Sequence, residues 1–578
     1  MIDLQWLIGG EAGYGIMTTG VTMAKIFTRL GLSVFDYVEY PSLIRGGHNA
    51  YFVRTSSEVI HSPKKTVDIL VALNRESIDK HKDELAEGAA VLYDSNTIKL
   101  DPSEFREDIL LIPIPLIDMI KELDVERLMI NTIAVGASLA LFSDDYLILQ
   151  NMMEETFGRK GDDIAEINIK TSKAGFDFVK KHPKRFHIQI EKREQKSLLI
   201  SGAESVALGA IKAGLKFAAI YPMTPVNMIM TNLTGHAMEY GIILKEPEDE
   251  IAGINMAIGA SYAGVRSMVA TSGGGFSLMV ESLGLAAQAE IPLVIVMGMR
   301  PGPATGMPTW SDQGDLRFVL HGAQGDFPRI VLAPGDLREA FSYSMRAFNL
   351  ADKYQLQVIL LVDKHLMEGH GTVPLTEMQA DASWFKIERG KITTEKELQE
   401  EADYKRYLLT EDGISPRSLP GQKGGIAITG SDEHDERGLY NEEAHVRNAM
   451  MEKRFRKLKQ AEKDIFLPEI IGDKDAAVTM VSFGSTKLSA LDAMSILKRQ
   501  NISVNLLNLS FLSPFPADKV ISLLKHSKNK IIIEANFTGQ LEGLIREKTG
   551  IEFEHRYRKY DGRPFFPEDI AEKIKEIL

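Results

Sequence analysis

A chain of 578 residues is too long for one hydrophobic core, and typical domain sizes predict about three to four domains. Its net charge of −13 argues against a nucleic-acid-binding surface, because phosphate contacts need clustered Lys and Arg. The sequence contains no cysteine, which excludes disulfides, a catalytic thiol and Cys₄-ligated iron–sulfur clusters. It shows no secretory signal pattern and no apolar run near the ~20 residues of a spanning helix, which favours a cytoplasmic protein without membrane contact.

The first predicted unit alternates strands and helices. Residues 3–8 form an apolar run that ends in glycines, which predicts a buried strand and a tight turn. Residues 16–31 carry apolar side chains at helix spacing. Further strands are predicted at residues 33–40, 50–55, 66–73 and 88–94. This alternation favours a parallel sheet with helices on its faces, and the charged residues 180–196 are interpreted as a linker.

Two further units are predicted along the chain. The second begins at residue 197, closes near residue 375 and has strands at 198–201, 217–222, 267–272, 292–298 and 357–363. Residues 376–470 are charged and poor in apolar runs, which indicates an insertion with helical and loop parts. Strands and helices alternate again over residues 471–578. The prediction is therefore three α/β units with a charged insertion.

A glycine-rich turn follows the first strand. Gly10, Gly13 and Gly15 precede a helix, where backbone N–H groups favour an anion, and Asp36 follows near the end of the next strand. The spacing is G-x-x-G-x-G rather than the dinucleotide pattern G-x-G-x-x-G, so a tightly packed turn is the alternative. Arg45, followed by two glycines, suits either backbone approach to an anion or partner chain, or an ordinary surface loop.

The segment Tyr221-Pro222-Met-Thr224-Pro225 ends a predicted strand. Each proline fixes its own φ and favours extended geometry in the preceding residue, so the hydroxyl of Thr224 is presented on a stiff loop. In open α/β sheets, ligands bind at this carboxyl edge of the strands. A plain strand-terminating loop is the alternative.

Four carboxylates precede an apolar, Gly- and Ala-rich helix, namely Glu246, Glu248, Asp249 and Glu250. They could simply complement the positive end of the helix dipole. Glu250 is nearest the apolar helix face and is therefore the one expected to be buried. A buried carboxyl group with a raised pKa can hold a proton on a heterocycle nitrogen.

Two more strand ends contain unusual residues. Thr271-Ser272-Gly273 begins a run of three glycines, which favours close approach of another group, with a flexible loop as the alternative. Arg300 follows the strand at 292–298 and suits bidentate binding of a substrate carboxylate, or else an interdomain salt bridge.

Together these segments resemble the 2-oxoacid:ferredoxin oxidoreductase family. The matching pieces of the α subunit are residues 221–225, 246–286 and 300–309. The N-terminal residues 9–15 and 43–54 are similar to the family's γ subunit, and residues 482–486, 512–516 and 531–540 are similar to its second α domain. The chain departs from the commoner family residues at Ala12-Gly13-Tyr14, Met223 and Val226.

The resemblance implies an α subunit with an N-terminally fused γ domain. The implied domains are a Rossmann-like γ domain (1–188), a pyrimidine-binding domain for thiamine diphosphate (197–375), the charged insertion (376–470) and a transketolase C-terminal-like domain (471–578). The implied reaction is oxidative decarboxylation of a 2-oxoacid, such as 2-oxoglutarate or pyruvate, with coenzyme A to acyl-CoA, CO₂ and reduced ferredoxin.

The resemblance also implies residue roles. Glu250 would protonate N1′ of the aminopyrimidine and so assist deprotonation of the thiazolium C2. Thr224 and Arg300 would contact the substrate, Arg300 through its carboxylate. Tyr221, Pro222, Ser272 and Gly273 would line the cofactor site.

Two features missing from the sequence predict a partner subunit. It contains no Gly-Asp-Gly motif for Mg²⁺ and diphosphate, and no cysteine for a cluster. A β subunit is therefore expected to supply Mg²⁺ and a [4Fe-4S] cluster. Two alternatives stay open: a nicotinamide-dependent oxidoreductase that uses the N-terminal glycine turn, and a non-catalytic scaffold subunit. The specific 2-oxoacid and the choice between αβ and (αβ)₂ assembly stay open as well.

Overall fold

The computed structural model describes residues 2–43, 46–158, 161–182, 186–194, 196–400 and 403–578. In chain order, the strands within these ranges are β1 (Asp3–Glu11), β2 (Ser33–Glu39), β3 (His48–Ser56), β4 (Val67–Ala72), β5 (Leu85–Asp94), β6 (Leu110–Ile114), β7 (Ser197–Ser201), β8 (Phe217–Ile220), β9 (Ile243–Lys245), β10 (Ser267–Ser272), β11 (Leu293–Met299), β12 (Ile330–Leu332), β13 (Gln357–Asp363), β14 (His370–Pro374), β15 (Ile470–Gly472), β16 (Val478–Phe483), β17 (Val504–Leu509), β18 (Phe511–Ser513), β19 (Asn529–Glu534) and β20 (His555–Arg558).

The helices in the same ranges are α1 (Ile16–Arg29), α2 (Arg75–His81), α3 (Leu116–Leu123), α4 (Ile130–Phe142), α5 (Leu147–Phe157), α6 (Asp162–Lys181), α7 (Gly202–Lys212), α8 (Asn227–Tyr240), α9 (Glu250–Tyr262), α10 (Gly273–Gln288), α11 (Leu316–His321), α12 (Leu337–Tyr354), α13 (Lys364–Glu368), α14 (Leu375–Trp384), α15 (Glu395–Glu400), α16 (Ala444–Ala461), α17 (Thr486–Arg499), α18 (Ala517–Leu524), α19 (Gln540–Thr549) and α20 (Pro567–Lys575). Among these described helices, none has the length and apolar character needed to cross a membrane.

The chain divides into two compact units. The first comprises residues 1–200, 369–375 and 566–570, and its sheet has the order β6-β5-β4-β1-β3-β2-β14-β7. Strands β1, β4, β5 and β6 are parallel, as the alternation predicts. The prediction is wrong for β3, which is antiparallel to both β1 and β2. Residues 40–47 between β2 and β3 are too few for a parallel crossover, which needs about a dozen or more residues.

The second unit comprises residues 201–368, 376–565 and 571–578 and contains two sheets within its described residues. One has the order β18-β12-β13-β11-β10-β8-β9, and the other has the order β15-β17-β16-β19-β20. Every residue of β10, β11, β13, β16 and β17 is buried, as is typical of parallel strands covered on both faces. Side chains from both sheets, including Ile295 and Phe483, pack into one hydrophobic core.

Local sequence explains how several helices of this unit begin. Ser201 caps α7 through a reciprocal capping box with Glu204, and Asp249 caps α9 by accepting from the Ala252 N–H at 2.8 Å. Within its described residues, the predicted insertion contains most of α14 together with α15 and α16. Helix α16 buries Lys453, Arg454 and Lys457, although its charge pattern is typical of an exposed helix.

Candidate functional site

Three predicted site segments lie at one edge of a sheet. Strand β10 is parallel to β8 on one side and to β11 on the other. The segment Tyr221–Pro225 follows β8, Ser272 ends β10, and Arg300 follows β11. The carboxyl ends of neighbouring parallel strands meet at the same edge, which is where ligands bind in open α/β sheets. The structure thus places these three segments at one edge of the sheet.

The turn after β8 contacts the end of β11 directly. Arg300 Nη1 donates to the backbone oxygen of Thr224 at 3.0 Å, and the Thr224–Pro225 peptide is cis. Gly298 allows this approach, because a Cβ there would lie 2.8 Å from Pro225 Cδ. Tyr221 and Pro222 are exposed on the extended segment before the turn. Thr224 and Arg300 therefore lie side by side.

Glu250 is the first residue of α9 and is only 3% exposed. Its expected burial is confirmed, whereas Glu246 and Glu248 are exposed. Within the part of the chain that the structure describes, Glu250 Oε1 has no hydrogen-bond partner. A buried carboxylate oxygen without a donor is costly, so this oxygen is suited to a ligand N–H.

The predicted glycine run forms the first turn of α10 rather than a loop. A Cβ at Gly275 would lie 2.1 Å from Thr271 Oγ1 and 2.3 Å from Glu250 Oε1, which only glycine permits. A Cβ at Gly273 would likewise lie too close to the carboxylate of Asp315. Ser272 is buried, and its hydroxyl has no partner among the described residues. The glycines thus bring the start of α10 against the Glu250 carboxylate.

Two carboxylates near this edge were not predicted from the sequence. Burial raises the pKa of Asp315 to about 6, and Arg300 opposes that rise. Burial also raises the pKa of Asp312 to about 7, with further contributions from Asp315 and Asp363. Burial lowers the pKa of the Arg300 guanidinium, and Asp315 opposes that change. Groups whose pKa values are shifted towards neutrality are frequent at functional sites.

Gln313 links this edge to the third sheet. Its Nε2 donates to Asp363 Oδ2 at 3.2 Å and to the backbone oxygen of Phe483 at 3.0 Å. Its Oε1 accepts from the Thr486 hydroxyl at 3.0 Å and from the Ala535 N–H at 3.1 Å. The segment that contains both unpredicted carboxylates is therefore held between the two sheets of this unit.

The N-terminal glycine turn has a packing explanation. Gly13 and Gly15 have positive φ, and a Cβ at Gly15 would lie 2.4 Å from Asn131 Nδ2. Asp36 lies inside β2, where it accepts from the Tyr51 hydroxyl at 2.7 Å and from the His370 N–H at 2.6 Å. Hydrogen bonds within the protein therefore occupy the Asp36 carboxylate, which would have to accept from the ribose of a bound dinucleotide. Arg45, the other candidate here, lies outside the described residues.

Family models match three successive parts of the chain. Residues 5–178 match "Pyruvate ferredoxin/flavodoxin oxidoreductase", and residues 208–453 match "Pyruvate flavodoxin/ferredoxin oxidoreductase, thiamine diP-bdg". Residues 469–540 match "Transketolase, C-terminal domain". These matches agree with the three predicted α/β units and their order.

A curated relative covers the whole chain. The 2-oxoacid:ferredoxin oxidoreductase subunit alpha of a Sulfolobus species is 33% identical over an alignment of 634 positions. The alignment covers 100% of this chain and 97% of the relative. The chain belongs to the 2-oxoacid:ferredoxin oxidoreductase α-subunit family. The 2-oxoglutarate synthase subunit KorA of Methanothermobacter thermautotrophicus is 32% identical over 65% of this chain and 98% of its own length. This family membership makes the chain a subunit of an oxidoreductase.

A solved structure of the same family has a closely similar fold. It is the 2-oxoglutarate:ferredoxin oxidoreductase of Magnetococcus marinus, described with 2-oxoglutarate, coenzyme A and succinyl-CoA bound. It matches with a TM-score of 0.91 at 34% identity and covers 100% of this chain and 99% of its own. Neither the nicotinamide alternative nor the scaffold alternative gains support from these oxidoreductase relatives.

Proposed function

We propose that this α subunit acts in the oxidative decarboxylation of a 2-oxoacid with coenzyme A, yielding acyl-CoA, CO₂ and reduced ferredoxin. The observation that supports it most directly is the buried Glu250 carboxylate, whose Oε1 lacks a partner among the described residues at a ligand-binding sheet edge. Two electrons leave the substrate carbon and pass singly to two ferredoxins. The bond between the carboxylate carbon and the 2-oxo carbon breaks to release CO₂, and the acyl carbon bonds to the coenzyme A sulfur, whose thiol proton is released to solvent.

Thiamine diphosphate is the cofactor that these residues fit. Glu250 would hold a proton at N1′ of its aminopyrimidine, since Oε1 has no other donor among the described groups. Gly275 leaves room beside that carboxylate, and the unpartnered Ser272 hydroxyl offers a further polar contact. Tyr221, Pro222 and Gly273 would complete the cofactor-facing surface. When bound, the cofactor supplies the carbon nucleophile that attacks the 2-oxo carbon.

Thr224 and Arg300 are proposed to bind the 2-oxoacid. An arginine at a sheet edge can donate two charge-assisted hydrogen bonds to a carboxylate. Arg300 Nη1 already donates to the Thr224 backbone oxygen, which holds the Arg300 side chain against the Thr224 turn. The solved relative with 2-oxoglutarate bound is consistent with a 2-oxoacid, such as 2-oxoglutarate or pyruvate, as the substrate class.

A β subunit is proposed to complete the site. This sequence has no Gly-Asp-Gly motif and no cysteine, so Mg²⁺ and a [4Fe-4S] cluster are assigned to the partner. Helices α9 and α10 expose Ile251, Met256 and Leu278, each between 41% and 49%. Large apolar side chains exposed on these two helices are suited to burial by a partner chain.

The predicted domain boundaries are part of the proposal. We assign residues 1–188 to the γ-type domain, 197–375 to pyrimidine binding, 376–470 to the insertion and 471–578 to the transketolase C-terminal-like domain. The family-model matches at 5–178, 208–453 and 469–540 support this order.

The decisive experiment is reconstitution of the chain with its β subunit. The proposal expects ferredoxin reduction that requires both a 2-oxoacid and coenzyme A, with no NAD⁺ reduction. Omitting coenzyme A or the 2-oxoacid provides the matched controls. Saturable NAD⁺ reduction by this chain would instead support the nicotinamide alternative.

A further inference from the structure

A cavity lies at the opposite end of the sheet from Glu250. Its volume is about 250 Å³, and Ile291 and Pro292, directly before β11, line it together with Tyr262 at the end of α9. Glu250 begins the same helix, so the rise along α9 separates the two sites by roughly 18 Å. The cavity is therefore distinct from the candidate active site.

Two buried arginines of the insertion line this cavity, Arg406 and Arg417. They are only 6% and 4% exposed. Arg406 Nη2 donates to the Glu290 backbone oxygen at 3.0 Å, and Arg417 Nη2 donates to Asp352 Oδ1 at 2.9 Å. Arg406 Nη1 and Arg417 Nε have no partner among the described residues. Each buried guanidinium thus has an N–H group without an acceptor among the described residues.

The surrounding charge is strongly positive. Asp352 accepts from Arg266, Arg389 and Arg417, while Glu290 pairs with Lys453 and Lys457. We call these groups, together with Arg406, the cation cluster. Among the described residues it joins six basic side chains to two carboxylates. The nearby Glu433 does not restore the balance, because Arg447 and Arg454 both pair with it.

Burial, with a smaller contribution from neighbouring cations, shifts pKa values in this cluster. Burial lowers the pKa of Arg417 to about 10; Arg406 and Arg389 add to the decrease, and Asp352 opposes it. Burial also lowers the pKa of Lys457 to about 7, against the attraction of Glu290. Buried charges need compensating partners, so a further negative charge at this position would stabilise the fold.

We propose that this cavity binds a small anion through a carboxylate or phosphate group held by Arg406 and Arg417. A guanidinium presents planar donors that match either oxyanion. Ser418 and Gln422 also line the cavity, where Ser418 Oγ donates to the Gly425 backbone oxygen and Gln422 Nε2 donates to that of Thr393. The anion would supply the negative charge that the cation cluster lacks and would tie the insertion to the sheet.

Thermal unfolding of the full chain tests this site. Inorganic phosphate and succinate are titrated separately against chloride at constant ionic strength. We expect a saturable rise in Tm with at least one of them, roughly 2–4 °C at 100-fold above Kd. A response to phosphate or to succinate alone identifies the preferred oxyanion. No saturable response to either anion would overturn the proposal.

Ala427→Glu separates anion binding from simple structural damage. Ala427 lines the cavity and is half-buried, so a carboxylate there should replace the anion. The variant should start with a higher Tm and lose the anion-induced rise. Ile428→Glu is the matched control, because Ile428 is exposed outside the cavity lining and its variant should respond like the wild type. An unchanged anion response in Ala427→Glu would also overturn the proposal. None of these readouts depends on oxidoreductase activity.

Discussion

The Glu250 carboxyl oxygen is the most specific feature of the site at the scale of single residues. If Glu250 holds the N1′ proton, Glu250→Gln should keep the fold and most cofactor binding, because the amide is nearly isosteric. Turnover of the reconstituted complex should fall about 10²–10⁴-fold, the usual contribution of general acid–base assistance. Hydrogen–deuterium exchange at C2 of bound thiamine diphosphate measures the affected step directly.

Glu248→Gln is the matched control for that experiment. Glu248 precedes the same helix but is exposed, so its variant should show normal turnover and normal C2 exchange. A carboxylate that served only the helix dipole would cost under ~1 kcal/mol of stability when neutralised and would leave C2 exchange unchanged. Normal C2 exchange in Glu250→Gln would therefore remove Glu250 from the mechanism.

Arg300 should affect substrate binding more than turnover. Arg300→Ala removes a charge-assisted hydrogen bond worth about 1.5–3 kcal/mol, so KM for the 2-oxoacid should rise roughly ten- to a hundred-fold. Arg317→Ala removes a more exposed arginine of α11 and should leave KM unchanged. Steady-state kinetics of the reconstituted complex distinguish the two. An unaltered KM in Arg300→Ala would leave Arg300 with only its contact to Thr224.

At the scale of elements, the start of α10 depends on one glycine. Gly275→Ala would place a methyl group 2.3 Å from Glu250 Oε1, so the isolated chain should lose about 1–3 kcal/mol of unfolding free energy through overpacking. Gly274→Ala meets no atom within 4 Å and should be neutral, or more stable by up to about 1 kcal/mol. Denaturant unfolding measures both variants. Equal stabilities would contradict the tight contact between α10 and the Glu250 carboxylate.

The loop before α11 should make stability depend on pH. The folded-state pKa of Asp312 is raised from 3.8 to about 7 by burial, so the folded chain retains a proton that the unfolded chain releases between these values. This stabilising contribution is complete below about pH 3.8 and is lost as the pH rises towards 7. Asp312→Asn mimics the protonated form and should be more stable than the wild type at pH 8, by at least about 1 kcal/mol.

The advantage of Asp312→Asn should shrink as the pH falls from 8 to 5. Asp326→Asn is the control, since Asp326 is exposed in the following loop and its variant should follow the wild type at each pH. Chemical denaturation at the two pH values provides the comparison. Parallel pH profiles for wild type and Asp312→Asn would show that Asp312 does not retain the proton.

For the whole molecule, the sequence predicted the three α/β units and their order, and it missed the antiparallel direction of β3. Thr224, Ser272 and Arg300 could be recognised because unusual residues follow or end predicted strands. The carboxyl ends of neighbouring parallel strands meet at one edge of a sheet. Strand direction in the first unit depended instead on the short β2–β3 connection. Asp312 and Asp315 were missed because they lie in a loop whose sequence has no helix or strand periodicity. Their burial depends on strands that are distant in the sequence. The buried basic residues of α16 were not predicted, because charge patterning does not reveal buried ion pairs.

The isolated chain should be inactive and colourless. With no cysteine it cannot provide the four thiolates of an ordinary [4Fe-4S] cluster, and with no Gly-Asp-Gly motif it lacks the usual ligands for Mg²⁺ and diphosphate. Absorption spectra of the purified chain should therefore lack an iron–sulfur band, and 2-oxoacid oxidation should stay at background. Adding the β subunit to the wild-type chain should restore both colour and turnover. Adding it to the Glu250→Gln chain should restore colour alone. Because colour depends on the partner and turnover on both chains, that combination separates failed assembly from failed chemistry. A cluster band or 2-oxoacid oxidation from this chain by itself would overturn the division of the site between two subunits.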